Sequence, residues 1–208
     1  MATLLHVQAS PRKERGKSIK IAHTFLETYA SINPADDIVT LDLWSARLPE
    51  INGDTLNAKY RLLHGEVMTA SEVKAWAEVE QTIRQFTGAD KFLFSVPMWN
   101  FGVPYRLKHY IDVLTQPGYT FSFNPETGGY TGLVTFRPAT VIYARGGAYP
   151  ENLSFLDLQS VYMKLWLGFI GIADVNSIVV EPTLSAPEQV QSAHDNAVKQ
   201  ATELARRF

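Results

Sequence analysis

Apolar residues along this chain fall into two alternating patterns. Short apolar runs of strand character are each followed by a stretch in which apolar side chains recur at three- and four-residue spacing. The first run covers residues 4–8, and the next stretch carries Ile19, Ile21, Ala22, Phe25, Leu26 and Tyr29 until Asn33-Pro34 ends it. A second strand is expected over residues 38–43. From Trp44 to about Ala70 the pattern is irregular; Pro49, Gly53 and Gly65 argue against continuous secondary structure, and the stretch can wall a site. A helix is then expected over residues 71–86, with Ser71 as its cap and Gly88 closing it before a third strand at 91–96. Residues 105–114 read as a helix, with Pro104 suited to its first turn. The series closes with a fourth strand at 139–144, a helix at 153–167, a fifth strand containing Ile178 to Val180, and a last helix from Pro187 to about Arg206.

Strands that alternate with helices in this way build a parallel sheet covered on both faces. One segment breaks the alternation. Tyr119-Thr120-Phe121-Ser122-Phe123, Asn124-Pro125 and Gly128-Gly129 predict a short inserted hairpin. Five sheet strands suit a flavodoxin-like, doubly wound α/β fold of order 2-1-3-4-5. With 208 residues and no low-complexity linker, the whole chain 1–208 is expected to form one domain.

Composition narrows the function classes. The chain has no cysteine, so thiol redox chemistry and thiolate metal sites are excluded and any redox role needs a cofactor. Nineteen basic against 21 acidic residues leave a net charge of −2, which offers no general attraction to nucleic acid. The first residues lack a signal-peptide pattern and no segment reaches membrane-spanning length, so a cytoplasmic protein is expected. His6, His23, His64, His109 and His194 show no metal-ligand spacing, and no Gly-x-Ser-x-Gly elbow occurs.

In a doubly wound sheet, ligands bind beyond the carboxyl ends of the strands, where connections diverge to opposite faces. Three loops there are unusual. The first, residues 9–18, combines Ser10, Gly16 and Ser18 with Arg12, Lys13, Arg15 and Lys17 just before a helix start. Free amides, hydroxyls and a cation at that point suit a phosphate, although a solvated loop with Ser18 as a plain helix cap is the competing reading. The Gly-x-x-x-x-Gly-Lys-Ser/Thr pattern of a P-loop is absent. The second loop offers Met98, Trp99, Asn100 and Phe101 to a flat conjugated ring, or else those aromatics simply cover the sheet. The third follows the fourth strand with Ala144, Arg145, Gly146 and Gly147, whose glycines permit positive φ and close approach of a ligand to the main chain. The three coincide in space in this fold, which favours one shared site.

These blocks resemble the FMN-dependent NADH:quinone oxidoreductase and azoreductase family. The resemblance rests on Ser10 with Gly16-Lys17-Ser18, Pro97-Met98-Trp99-Asn100-Phe101, Ala144-Arg145-Gly146-Gly147 and Leu167-Gly168-Phe169-Ile170-Gly171-Ile172, and spans nearly the whole chain. Gly16-Lys17 stands where Ser-Gln is common in the family, and Ala144 where a serine or threonine is common. The resemblance implies tightly bound FMN, its phosphate on the first loop and its ring on the other two. It further implies a homodimer with active sites at the interface, and a ping-pong reaction from NADH or NADPH to a quinone or azo compound. No side chain then acts as a nucleophile or acid-base catalyst. Tyr119, Phe121 and Phe123 on the hairpin, with Trp166, can line the acceptor pocket from either subunit or serve structure alone. A flavodoxin-type single-electron carrier is the alternative reading, and a cofactor-free binding domain a third.

Overall fold

The computed structural model describes residues 1–208. Its elements are β1 (Thr3–Gln8), α1 (Lys17–Ile32), β2 (Asp37–Asp42), α2 (Gly53–His64), α3 (Ala70–Thr87), β3 (Lys91–Pro97) and α4 (Tyr105–Leu114). There follow β4 (Phe121–Asn124), β5 (Gly129–Gly132), β6 (Ala139–Ala144), α5 (Leu158–Phe169), β7 (Val175–Val180) and α6 (Pro187–Ala205). Five strands form one sheet in the order β2-β1-β3-β6-β7, with every pair parallel. Counting β4 and β5 apart as the antiparallel hairpin, this is the expected 2-1-3-4-5 arrangement.

Alternation along the central strands explains the two layers. On β3, Phe92, Phe94 and Val96 face α3, α4 and α5, while Leu93 faces α1 and α6. All four side chains are fully buried, as a parallel sheet covered on both sides requires. Phe25 on α1 and Phe86 on α3 fill the opposite layers with no exposed surface, so truncating either to alanine costs about 3–5 kcal/mol.

The irregular stretch contains a helix that was not expected. Asn52 caps α2, its side chain accepting from the Thr55 amide, and Gly65 ends it at φ +69°. The two glycines bound the helix rather than prevent it. The cap of α3 also differs from expectation: Thr69, not Ser71, accepts from the Glu72 amide while Glu72 reaches back to the Thr69 amide, a complete capping box. Pro104 is the residue before the first turn of α4 rather than within it. The helix expected from residue 153 is a 3₁₀ turn, Glu151–Leu156, followed by α5 with Asp157 as its cap.

The hairpin lies at the amino end of the sheet. α4 starts beyond the carboxyl end of β3 and runs back, so the chain that follows it emerges at the opposite end. There the Val134 amide donates to the Ile170 carbonyl at 2.8 Å, just past α5. Gly132 and Gly171 let the two backbones touch: a Cβ on Gly132 would lie 2.2 Å from the Gly171 nitrogen, and Gly171 itself has φ +104°. No helix is long and apolar enough to cross a membrane.

Candidate functional site

The loops after β1, β3 and β6 meet at the carboxyl end of the sheet, tied by main-chain bonds. The Ala9 amide donates to the Ser95 carbonyl at 3.0 Å, and the Met98 amide to the Ala144 carbonyl at 2.8 Å. In the first loop Ser10 is buried, its Oγ accepting from the Arg12 amide at 3.3 Å. Gly16 fits because a Cβ there would sit 3.0 Å from both the Lys13 carbonyl and the Ser10 Oγ. α1 starts immediately after it with no side chain capping its first amides. The Ser18 hydroxyl is buried beside those amides and has no hydrogen-bond partner. A buried hydroxyl without a partner is costly unless a ligand completes it, and a helix start is the natural place for an anion. Lys13 turns away to Asp42 (3.2 Å) and Ser45 (3.0 Å), whereas Lys17 makes no ion pair.

The second loop is a two-residue turn. Trp99 and Gly102 exchange amide-to-carbonyl bonds of 3.0 Å in both directions, with Asn100 at φ 46° and Phe101 at φ 70° between them. Positive φ at both central positions is the type I′ geometry, which glycine or asparagine adopts readily and phenylalanine only at a cost of order 1–2 kcal/mol. Such strain persists where the surroundings fix it, and here they do. The Trp99 ring lies 5.5 Å from that of Trp44, which in turn donates its indole N–H to the Ala9 carbonyl at 3.0 Å. Trp44 therefore joins the first and second loops. Sequence reasoning passed over it, and the available signal was its position as the second residue past β2, at the same sheet end.

In the third loop the Arg145 side chain turns inward. Its Nε donates to Gln159 Oε1 (3.1 Å), Nη1 to Glu181 (3.1 Å) and Nη2 to Asp157 (2.6 Å). Only the main chain at this position is left to a ligand. Burial pushes the Asp157 carboxyl up, but the Ser160 hydroxyl and amide and the Arg145 charge outweigh it and hold it below the usual carboxylate range. Neither Gly146 nor Gly147 has positive φ. Gly146 is backed by Leu184, 3.2 Å from where its Cβ would be, while a Cβ on Gly147 would meet nothing within 4 Å. Space for a ligand therefore lies over Gly147.

Ser10, Gly16, Lys17, Ser18, Met98 to Phe101 and Ala144 to Gly147 are thus brought to one end of the sheet. The four aromatics expected at the acceptor pocket are not. Trp166 is in the core, donating to Thr115 Oγ1 at 3.0 Å and packing 6.0 Å from Phe86 and 6.1 Å from Phe94. Tyr119 donates to Glu80 at 2.5 Å and accepts from the Trp76 indole at 3.3 Å, and burial followed by the Glu80 contact raises its pKa. Phe121 packs 4.8 Å from Phe169, and Phe123 5.0 Å from Tyr130, all at the amino end. Within one chain the hairpin cannot wall the loops at the other end.

A family model described as the flavodoxin-like fold matches residues 2–205. Over 186 residues the chain is 51% identical to an FMN-dependent NADH:quinone oxidoreductase of Desulfotalea psychrophila, a match covering 89% of this chain and 87% of that one. The homologous oxidoreductase of Nitratidesulfovibrio vulgaris is 43% identical across the full length of both. The chain belongs to the flavodoxin-like FMN-dependent NADH:quinone oxidoreductases. Among solved structures, an azoreductase from Bacillus anthracis str. Sterne superposes on this oxidoreductase with a TM-score of 0.91 at 31% identity, each chain covered entirely. A Bacillus anthracis FMN-dependent NADH-azoreductase in complex with FMN gives 0.86 at 27% identity over 99% of this chain and 100% of that one.

Proposed function

We propose that this oxidoreductase holds FMN across the three loops and transfers two electrons from NADH or NADPH to a quinone or azo compound. The observation that carries the reading is the buried Ser18 hydroxyl, without a partner, beside the uncapped start of α1. It supplies a donor, free amides and the unpaired Lys17 for a phosphate, while the open space over Gly147 and the Asn100 turn suit a ring. When bound, FMN supplies the hydride-accepting and hydride-donating centre that no side chain here offers. The chain's own contribution would be to hold the ring at the Asn100 turn and the main chain beside Gly147. Nicotinamide and acceptor would then react in turn, a ping-pong sequence whose balance is NAD(P)H, a proton and a quinone giving NAD(P)⁺ and a hydroquinone.

The same reading includes a homodimer. Leu158, Val161 and Leu165 form an apolar stripe along α5 at helical spacing, each more than half exposed, with Phe155 71% exposed just before it. A second copy would cover that stripe and could bring its Tyr119, Phe121 and Phe123 to this chain's loops, which their own chain's geometry forbids. The single-electron carrier is disfavoured by the full-length identity to enzymes. Reconstitution with FMN followed by steady-state oxidation of NADH with menadione tests the reading. Turnover that requires bound FMN supports it; a colourless protein that refuses FMN refutes it.

A further inference from the structure

Beside the Trp99 turn lies a cavity of about 640 Å³, within the range of small-molecule sites. Ile51, Trp99, Val103 and Tyr105 make its apolar part, and Asn100 links it to the turn expected to border the flavin. Two rings of its wall, Trp99 and Tyr105, are backed by a third, Trp44. Trp44 lies 5.5 Å from Trp99 and 5.2 Å from Tyr105, and Trp99 lies 6.1 Å from Tyr105. The Trp44 indole N–H is fixed on the Ala9 carbonyl, so this ring is the anchor of the group.

Core packing does not account for these rings. α4 already covers the sheet with Leu107, Tyr110, Ile111, Val113 and Leu114. Trp99 nevertheless remains 37% and Tyr105 63% exposed, held by a turn with two positive-φ residues. Aromatic walls of this kind favour a flat aromatic guest in offset or edge-on contact. At the polar end the charges of Lys108 and Asp112 offset each other across a 2.5 Å pair, and His109 is held on the Pro49 carbonyl at 2.7 Å.

We infer that this cavity is an acceptor subsite that takes the outer rings of a neutral, fused-ring quinone, with Trp99 and Tyr105 touching the guest and Trp44 acting as the positioning residue behind them. The inference rests on the FMN reading above and names the substrate class of that site. A single-ring quinone has no outer ring to place in the cavity while its one ring reacts at the flavin, so the subsite shows itself as selectivity.

The test compares 9,10-phenanthrenequinone with 1,4-benzoquinone as acceptors for the FMN-loaded enzyme carrying Tyr105→Ala, Tyr105→Phe or Trp44→Leu. Loss of one stacking ring is worth about 3- to 10-fold. The ratio of kcat/KM for the three-ring over the one-ring quinone should fall by about that factor in Tyr105→Ala and Trp44→Leu, and hold in Tyr105→Phe. An unchanged ratio overturns the proposal. So does a fall in both acceptors alike accompanied by loss of the dimer, which would make the cavity part of a subunit interface. Quenching of tryptophan fluorescence by 9,10-phenanthrenequinone, with and without FMN, reads the same subsite independently of turnover. Binding that survives in Tyr105→Ala and Trp44→Leu at wild-type affinity contradicts the assignment even if NADH oxidation fails.

Discussion

Arg145 and Asp157 face each other at 2.6 Å, side chains 5% and 15% exposed, and this pair sets the direction of the loop after β6. The guanidinium also holds Gln159, whose Nε2 donates to the Val96 carbonyl at 3.0 Å, one residue before the segment that leads into the Trp99 turn. The second and third loops are therefore linked through buried side chains as well as through the Met98 amide.

Replacing Arg145 by methionine leaves Asp157 and Glu181 without their shared cation. Breaking a buried pair from one side costs about 3–5 kcal/mol, so the midpoint of urea unfolding should drop sharply. Lysine should rescue only part of the loss, because one ammonium cannot reach three separate acceptors with the geometry of a guanidinium. A variant of unchanged stability would show that the inward network contributes nothing.

Ser18 gives the opposite expectation. Its hydroxyl has no partner within the chain, so Ser18→Ala should leave the stability of the FMN-free protein unchanged or slightly higher. Removing Ser18 and Lys17 together should weaken FMN by about 2–4 kcal/mol, on the scale of lost charge-assisted hydrogen bonds. Titration of flavin fluorescence separates the two effects, and unchanged affinity in the double alanine variant would remove the phosphate from this loop.

Much of this was legible in the sequence, and the misses have definite physical causes. Strand alternation and the glycine, serine and asparagine positions located the three loops, because those residue types report local backbone needs. The helix over residues 53–64 was hidden because Gly53 and Gly65 look like breakers when read without the Asn52 cap. Trp166 looked available because its neighbours suggested a site, but burial depends on Phe86 and Phe94, distant in sequence. The inward turn of Arg145 depends on Asp157 and Glu181, which no local pattern announces. The hairpin's position at the amino end was not read either: its aromatics alone suggest a pocket wall, and only the return of α4 along β3 places them away from their own chain's loops.

Two glycines should respond oppositely to an added side chain. Gly147→Val meets open space at its Cβ and no positive φ, so the fold should persist while flavin affinity falls. Gly132→Ala forces a Cβ against the Gly171 backbone and should destabilise the chain. Thermal unfolding with and without FMN distinguishes them; a Gly147→Val protein that binds flavin normally would place the ring elsewhere.

His6 predicts an acid limb in stability. It is fully buried on β1, its Nε2 lies 2.7 Å from Ser95 Oγ, and burial, with a smaller effect of the His23 charge, lowers its pKa to about 3. Between that value and the ordinary value near 6.5, the unfolded chain binds a proton that the folded chain refuses, so stability falls as pH falls across this window. The slope from this one group is about 1.4 kcal/mol per pH unit. His6→Leu should flatten the decline between pH 6 and 4 by about that amount in urea titrations, and an unchanged slope would mean that His6 titrates normally.

The central claim, a flavin held by these three loops and cycling between a nicotinamide and a quinone, is tested most directly by anaerobic titration of the FMN-loaded protein. One equivalent of NADH or NADPH per flavin should bleach the oxidised absorption band with no acceptor present, and one equivalent of menadione should restore it after the oxidised nicotinamide has been removed. A band that bleaches only when nicotinamide and quinone are present together, or that does not respond to either, would contradict the account.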